Sequence, residues 1–174
     1  IVLLLGAIAL GLLVREIAAR AAPPRVGNAI PDFTLESTEG ERFSLAAQKG
    51  KPVVVVFVAS WCEVCREEMP LMGETCRAHR VHNVVFLGVD VYEDRATARK
   101  FRDEFQIPFP LLVDADGAVT TRFRVNGTPT TFFIDRAGIL RDVVVNGNEV
   151  EIIGKVDEYE GSLEIVAQRA RILR

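Results

Sequence analysis

A run of six apolar residues leads into a pair of cysteines, and this junction constrains the fold more than any other feature of the chain. Val53–Val58 reads VVVVFV, without polar alternation. A continuous β-branched run of this kind predicts a strand that is covered on both faces. Residues 63–80 are helical in composition. The sequence therefore predicts a strand-to-helix junction with Cys62 and Cys65 at its turn.

The rest of the chain alternates strand and helix patterns. Residues 94–105 predict a helix, because Asp94 is a good N-cap and apolar residues follow at helical spacing. The other predicted elements are a β-hairpin within 33–45, strands over 83–91 and 111–113, a hairpin of strands 131–135 and 139–145, and a closing amphipathic helix over 162–174 that uses Leu163, Val166, Ala167 and Ala170. This order predicts an α/β fold whose sheet mixes parallel and antiparallel pairs.

The two cysteines at the junction are spaced for thiol–disulfide chemistry. Cys62 is expected at the helix N-terminus, where unpaired N–H groups and the helix dipole stabilise a thiolate, so we predict that it is the nucleophile. Cys65 lies one turn further in, where it is more shielded and can attack a mixed disulfide on Cys62. The alternatives are a static disulfide or half of a zinc site. Zinc would need a second ligand pair, and the sequence has no other Cys-x-x-Cys.

The third cysteine, Cys76, lies 11 residues beyond Cys65. On a continuous helix that is about 16 Å of axial rise, too far for a disulfide, so we predict a buried small apolar residue. Cys76, His79 and His82 recur at steps of three, but such steps drift around a helix and no fourth ligand is evident. We therefore predict no metal site.

Charge and cysteine content exclude two classes of protein. The formal net charge is −3 at pH 7 and no Lys/Arg-rich block is present, so nucleic acid is not expected as a partner. Three cysteines in 174 residues do not form the disulfide framework of a small secreted scaffold.

The N-terminal segment predicts a membrane anchor. Residues 1–14 are all apolar or glycine, whereas a full span needs roughly 20 residues. We therefore interpret 1–22 as a truncated transmembrane anchor, with a cleaved signal segment as the alternative. Pro23 and Pro24 indicate a stiff linker over 23–25, followed by one domain over 26–174. This organisation predicts a monomeric soluble domain on the extracytoplasmic side, either periplasmic or at the outer face of the cytoplasmic membrane.

Two segments of the chain resemble thioredoxin-fold proteins. Residues 53–70, VVVVFVASWCEVCREEMP, look like the active-site strand and helix of that fold, and residues 127–135, GTPTTFFID, are similar to its cis-proline segment. The resemblance implies that Pro129 is cis and packs beside the cysteine pair, and that the backbone of Thr128 can pair with a bound substrate strand.

The resemblance narrows to the TlpA/ResA-like membrane-anchored oxidoreductases, which serve cytochrome c maturation and related extracytoplasmic reductions. It rests on the anchor, the opening hairpin, the glutamate within WCEVC and the helix over 94–105, and it covers roughly 26–145. It implies a protein disulfide substrate, such as apocytochrome c or another exported cysteine protein. It also implies a membrane-embedded or thioredoxin-type electron donor and no cofactor. Departures from the family are Val64 in place of the usual proline, the additional Cys76, and a long charged segment at 146–161.

Three further residues are expected at this catalytic site. Trp61 precedes the first cysteine and is expected to contact the substrate. Glu93 matches a family position at which a glutamate lies near the cysteine pair, where it would oppose thiolate formation or relay a proton. Glu63 is a candidate for discriminating between substrates. The plain alternatives are a solvated loop acid for Glu93 and a favourable first-turn helix residue for Glu63.

Two other functions remain open from the sequence. Residues 31–35 and 50–52 resemble the opening of peroxiredoxins, but the peroxide site of that family has a threonine three residues before the reactive cysteine, and here that residue is Ala59. A metal-delivery or assembly protein on the same fold is the non-enzymatic alternative.

Overall fold

A computed structural model describes residues 23–79, 82–145, 149–159 and 162–173. The predicted anchor at 1–22 lies outside these residues. Within the described parts of the chain, no helix is long and apolar enough to cross a membrane.

The centre of the fold is a mixed sheet built around the predicted valine-rich strand. Its order is β2-β1-β5-β4-β3-β6-β7. β3, β4 and β5 are parallel to one another, and the pairs at both sides of this group are antiparallel. The strands are β1 (Thr34–Ser37), β2 (Arg42–Ser44), β3 (Val53–Val58), β4 (Val85–Val91), β5 (Leu111–Asp114), β6 (Thr130–Ile134) and β7 (Leu140–Val145). The predicted α/β class, both hairpins and the buried strand are confirmed.

Three α-helices connect these strands. They are α1 (Glu63–His79), α2 (Arg95–Glu104) and α3 (Ala118–Arg122), and a 3₁₀ turn covers Ala46–Gln48. Asp94 caps α2 as predicted, since its carboxylate accepts a hydrogen bond from the Thr97 amide. α3 was not predicted from the sequence. It follows the turn after Asp114, and the carboxylate of Asp114 accepts hydrogen bonds from the amides of Val119 and Thr120.

β3 holds the active-site turn on a rigid base. Its side chains are buried on both faces of the sheet, with only Val54 partly exposed. The rings of Phe57, Phe123 and Phe132 pack against one another with centroids 5.4 to 5.5 Å apart. The end of β3, where the cysteine segment begins, is therefore fixed by the core.

The prediction of a helix over 162–174 is wrong. This part of the chain forms β9 (Ser162–Leu173), which pairs antiparallel with β8 (Glu149–Tyr159) in a separate two-stranded sheet. The helix was predicted from the spacing of four apolar residues, and the charged segment before it was not predicted to be a strand that could pair with it. That segment, EVEIIGKVDEY, alternates β-branched and charged residues, so it supplies a strand with which β9 can pair.

Candidate active site

The site is formed by the short turn between β3 and α1. β3 ends at Val58 and α1 begins at Glu63. Cys62 and Cys65 form a disulfide across the first turn of the helix, with 5.2 Å between their Cα atoms. The predicted strand-to-helix junction therefore places both sulfur atoms at the start of α1.

Cys62 acts as the N-terminal cap of α1. Its carbonyl oxygen accepts a hydrogen bond from the Arg66 amide at 3.1 Å. Its sulfur accepts the Cys65 amide, also at 3.1 Å. The first amides of a helix lack partners within the helix, and a sulfur that accepts one of them gains the most when it carries negative charge. This geometry favours the thiolate form of Cys62 when the disulfide is opened.

The residues around the pair differ in exposure. The Cys62 residue is 7% exposed and Cys65 is fully buried at 0%, whereas Trp61 is 65% exposed. Glu63 and Val64, which lie between the two cysteines, are also exposed. A reaction partner can therefore reach the pair from the side that carries the indole ring of Trp61.

The proline segment lies where the resemblance implied. β6 pairs antiparallel with β3, with Phe57 opposite Thr130, and this register carries the preceding residues to the end of β3. The Thr128–Pro129 peptide bond is cis. The carbonyl oxygen of Thr128 lies 3.4 Å from the sulfur of Cys62.

Glu93 is also brought to the site, across 33 residues of sequence. One carboxylate oxygen accepts the backbone amide of Ser60 at 2.6 Å, and the other accepts its hydroxyl at 2.5 Å. Glu93 is partly buried. It is therefore not a solvated loop acid, because it fixes the residue that precedes Trp61.

Asp90, which was not predicted from the sequence, is a buried acid near this group. Asp90 is 0% exposed, and among the described residues no donor reaches either of its carboxylate oxygens. Burial raises the pKa of Asp90 to about 8, and the negative charge of Glu93 adds to the increase. One signal was present in the sequence: Asp90 is the only charged residue in the buried strand VFLGVDV.

A second missed acid lies on α1. Glu68 follows Cys65 by three residues, so both lie near one face of the helix. Glu68 is half-buried. Burial is the larger cause that raises the pKa of Glu68, and the negative charge of Glu67 is the smaller. The helical spacing from Cys65 could have identified it.

The third cysteine lies apart from the disulfide. Cys76 is buried on α1, as predicted. The rings of His79 and His82 are 5.8 Å apart. Within the described residues, no three His, Cys, Asp or Glu side chains are placed to hold a metal ion together.

A cysteine pair in this position exchanges electrons by making and breaking its own disulfide. On a thioredoxin-like α/β fold, such a pair defines the class of thiol–disulfide oxidoreductases, and this enzyme is one of them. The chain belongs to the AhpC/TSA family, which matches residues 26–143.

Relatives within this class are similar over most of the chain. The thiol-disulfide oxidoreductase ResA of Geobacillus kaustophilus is 34% identical over 119 residues, which are 68% of this chain and 68% of ResA. The thiol:disulfide interchange protein DsbE of Pseudomonas fluorescens biotype C is 32% identical over 145 residues, covering 82% of this chain and 75% of DsbE. A secreted disulfide oxidoreductase of Mycobacterium tuberculosis, homologous to E. coli DsbE, is 30% identical with a TM-score of 0.61, covering 66% of this chain and 84% of its own.

Disulfide exchange is better supported than peroxide reduction. The relatives are disulfide oxidoreductases and interchange proteins by name. Ala59 stands three residues before Cys62 and has no hydroxyl with which to bind a peroxide.

Proposed function

We propose that this oxidoreductase works as a reductase of protein disulfides on the extracytoplasmic side of a membrane. Its dithiol form, Cys62 and Cys65, would donate two electrons to an exported cysteine protein, for example an apocytochrome c. A membrane-embedded or thioredoxin-type donor would then reduce the Cys62–Cys65 disulfide again.

The reducing direction of this proposal depends on the acids near the pair, and its disulfide-exchange chemistry depends on one observation: the hydrogen bond from the Cys65 amide to the Cys62 sulfur. It stabilises a thiolate at Cys62, which attacks one sulfur of the substrate disulfide. A mixed disulfide forms, and the other substrate sulfur leaves as a thiolate and takes up a proton. Cys65, as a thiolate, then attacks the Cys62 sulfur and releases the second substrate thiol. The substrate disulfide gains two electrons and becomes two thiols, and the Cys62–Cys65 dithiol loses the same two electrons as it becomes a disulfide.

Negative charge around the pair supports the reducing direction. Glu63 is in the first turn of α1, and Glu93 binds the residue before Trp61. Carboxylates near a sulfur oppose the thiolate form of the dithiol, so the disulfide becomes comparatively stable and the dithiol a better electron donor.

The surface around the disulfide fits an extended peptide. Trp61 exposes its ring beside Cys62, and the Thr128 backbone lies against the Cys62 sulfur. A substrate strand can contact the indole and pair with the Thr128 backbone while its cysteine reaches Cys62. We therefore assign substrate binding to Trp61, Thr128 and Pro129, and catalysis to the two cysteines with Glu63 and Glu93 tuning their charge.

The proposed extracytoplasmic location of the enzyme is supported by its apolar N-terminal segment and by its similarity to ResA and DsbE. In this proposal, residues 1–22 anchor or export the chain, 23–25 form the linker and 26–174 form the catalytic domain. The domain acts as a monomer tethered to the membrane.

A stoichiometric reaction tests the proposal. The reduced protein is mixed with insulin, and the loss of insulin disulfides is followed without any other reductant. We expect one insulin disulfide to be reduced per protein, none by Cys62→Ser, and the normal amount by the control Cys76→Ser. Failure of the reduced protein to transfer electrons to any protein disulfide would reject the reductase assignment.

A further inference from the structure

Asp90 is buried in a position where the ionised form of its carboxyl group is unfavourable. It lies inside β4, where its register partners are the apolar Val58 on β3 and Val113 on β5. The side chain is fully buried, and no donor from the described residues reaches its oxygens. An unpaired negative charge in such surroundings costs far more than a neutral carboxyl, so Asp90 is held in its protonated form.

Another acid, Glu93, follows Asp90 by three residues, and both its negative charge and a hydrogen bond between the two side chains raise the pKa of Asp90. Two carboxylates have only acceptor atoms, so a hydrogen bond between them requires a proton. A neutral Asp90 supplies it, because the protonated carboxyl donates to the Glu93 carboxylate. The absence of a donor to Asp90 and its contact with Glu93 therefore have one explanation: Asp90 is itself the donor.

Glu93 transmits this contact to the active-site turn. Its two oxygens accept both the amide and the hydroxyl of Ser60. Ser60 precedes Trp61 and lies two residues before Cys62. The carbonyl of Ser60 also accepts Arg66 from α1 at 3.4 Å. Ser60 is thus tied to β4 on one side and to the first turn of α1 on the other.

The segment that carries Glu93 is fixed at both ends. The Tyr92 amide donates to the Asp114 carbonyl at 3.1 Å, and the Tyr92 ring lies so close to Gly117 that a Cβ there would collide with it. Asp94 caps α2. Glu93 therefore cannot move far, and its carboxylate orientation depends on Asp90 and Ser60.

We propose that Asp90 is a positioning residue for disulfide exchange: it shares its proton with Glu93, and Glu93 in turn holds Ser60 and the turn that presents Cys62. This assignment deepens the proposed function and rests on it for its catalytic consequence. The carboxyl pair itself does not depend on which substrate is reduced.

The arrangement has a defined response to pH. The charged groups that act on Asp90 are Glu93 and Asp94, which lie in the segment between the end of β4 and the start of α2. Arg66, which donates to the Ser60 carbonyl, forms an ion pair with Glu104. The Asp114 carboxylate on β5 accepts amides of α3. When Asp90 loses its proton, two adjacent negative charges repel and Glu93 loses its donor. The two hydrogen bonds from Ser60 to Glu93 weaken, and the rate of disulfide exchange falls.

Carboxyl ¹³C NMR tests the proton sharing directly. The oxidised protein is used, because its Cys62 and Cys65 do not titrate. We expect the Asp90 signal to titrate with a midpoint near 8, and Glu93→Gln to lower that midpoint by at least one pH unit, since the amide removes a charge and offers a donor. The control Glu74→Gln, an exposed acid on α1, should leave the midpoint in place. A midpoint near 4, or no response to Glu93→Gln, would overturn the proposal.

The rate of insulin reduction tests the positioning role. Asn in place of Asp90 imitates the protonated carboxyl and keeps a donor at every pH. The ratio of the Asp90→Asn rate to the wild-type rate should therefore rise at least threefold between pH 6.5 and pH 9.5, whereas the Glu74→Gln ratio should stay constant. Asp90→Ala, which cannot donate, should be at least fivefold slower than Asp90→Asn at pH 6.5.

A ratio for Asp90→Asn that does not change with pH would refute the positioning role even if the NMR titration supports the pair. If wild-type protein transfers no electrons at any pH, the proposed function fails instead. The NMR measurement then still decides whether Asp90 and Glu93 share a proton.

Discussion

The backbone amide of Cys65 points at the sulfur of Cys62, 3.1 Å away. This contact is the hydrogen bond that a capping side chain makes with the third residue of a helix, here with sulfur as the acceptor. One short segment of chain thereby gives the two cysteines different tasks. The first receives the stabilisation that a nucleophile needs, and the second is shielded within the helix.

The first prediction concerns which sulfur reacts. In the reduced protein, limiting iodoacetamide should label Cys62 at least tenfold faster than Cys65, because only Cys62 combines the helix-end hydrogen bond with exposure. Mass spectrometry of the peptides measures the ratio. A Cys65→Ser variant should in addition accumulate a mixed disulfide on Cys62. Faster labelling of Cys65 would contradict this assignment.

The second prediction concerns the third thiol. Cys76→Ser should leave the rate of insulin reduction within twofold of wild type and lower the free energy of unfolding by about 1 kcal/mol, since a hydroxyl replaces a buried thiol. Urea unfolding and the insulin assay measure both. A large loss of activity in a folded variant would show that Cys76 participates in the reaction.

The third prediction concerns the reduction potential. We expect a value nearer the about −270 mV of thioredoxin than the about −120 mV of a dedicated oxidant, because Glu63 and Glu93 place negative charge on the segments next to the pair. Glu63→Gln and Glu93→Gln should each make the potential less negative, and Glu74→Gln should not. Equilibration with glutathione measures it. A wild-type value above about −180 mV would mean that the helix N-terminus outweighs the acids, and the reductase assignment would fail.

The fourth prediction concerns the N-terminal segment. Deletion of residues 1–22 should yield a soluble, monomeric domain that still forms the Cys62–Cys65 disulfide, because Pro23 and Pro24 separate this segment from the domain. Size-exclusion chromatography and the insulin assay test it. Aggregation of the truncated chain, with loss of cooperative unfolding, would place the apolar segment in the core.

The fifth prediction links stability to pH. The pKa of Asp90 is raised to about 8 in the folded protein, above its unfolded value, so between about pH 4 and pH 8 the native state binds more protons. This group therefore stabilises the fold at low pH, and its contribution is lost as pH rises to about 8. Asp90→Asn should remove the effect, so that its stability relative to wild type increases by at least about 1 kcal/mol from pH 5 to pH 8.

Urea unfolding of the oxidised proteins at each pH provides the measurement for this fifth prediction. Glu74→Gln serves as the control for loss of one acid. Parallel stability curves for wild type and Asp90→Asn would show that Asp90 ionises normally.

Local sequence accounts for most elements near the site. A run rich in β-branched residues and without polar alternation favours a covered strand, and Cys62 lies at a helix N-terminus because the helix begins at the next residue. The capping role of Asp94 and the burial of Cys76 were also predictable, since each depends on neighbours within a few residues. The conformation of residues 162–173 was not predictable in this way, because their apolar spacing also suits a helix. The pairing of β9 with β8 makes this segment a strand.

The sequence by itself determined the fold class, the cysteine pair and the order of strands β1 to β7, because these follow from propensity, capping and spacing along the chain. Only the tertiary structure decided what surrounds the pair. The Thr128 carbonyl reaches Cys62 because β6 pairs with β3 in one register, and Glu93 reaches Ser60 because β4 lies parallel on the other side. Asp90 is buried for the same reason. The charge and the hydrogen-bond partners of a carboxylate depend on the residues packed around it, and here those residues come from strands that are distant in the sequence.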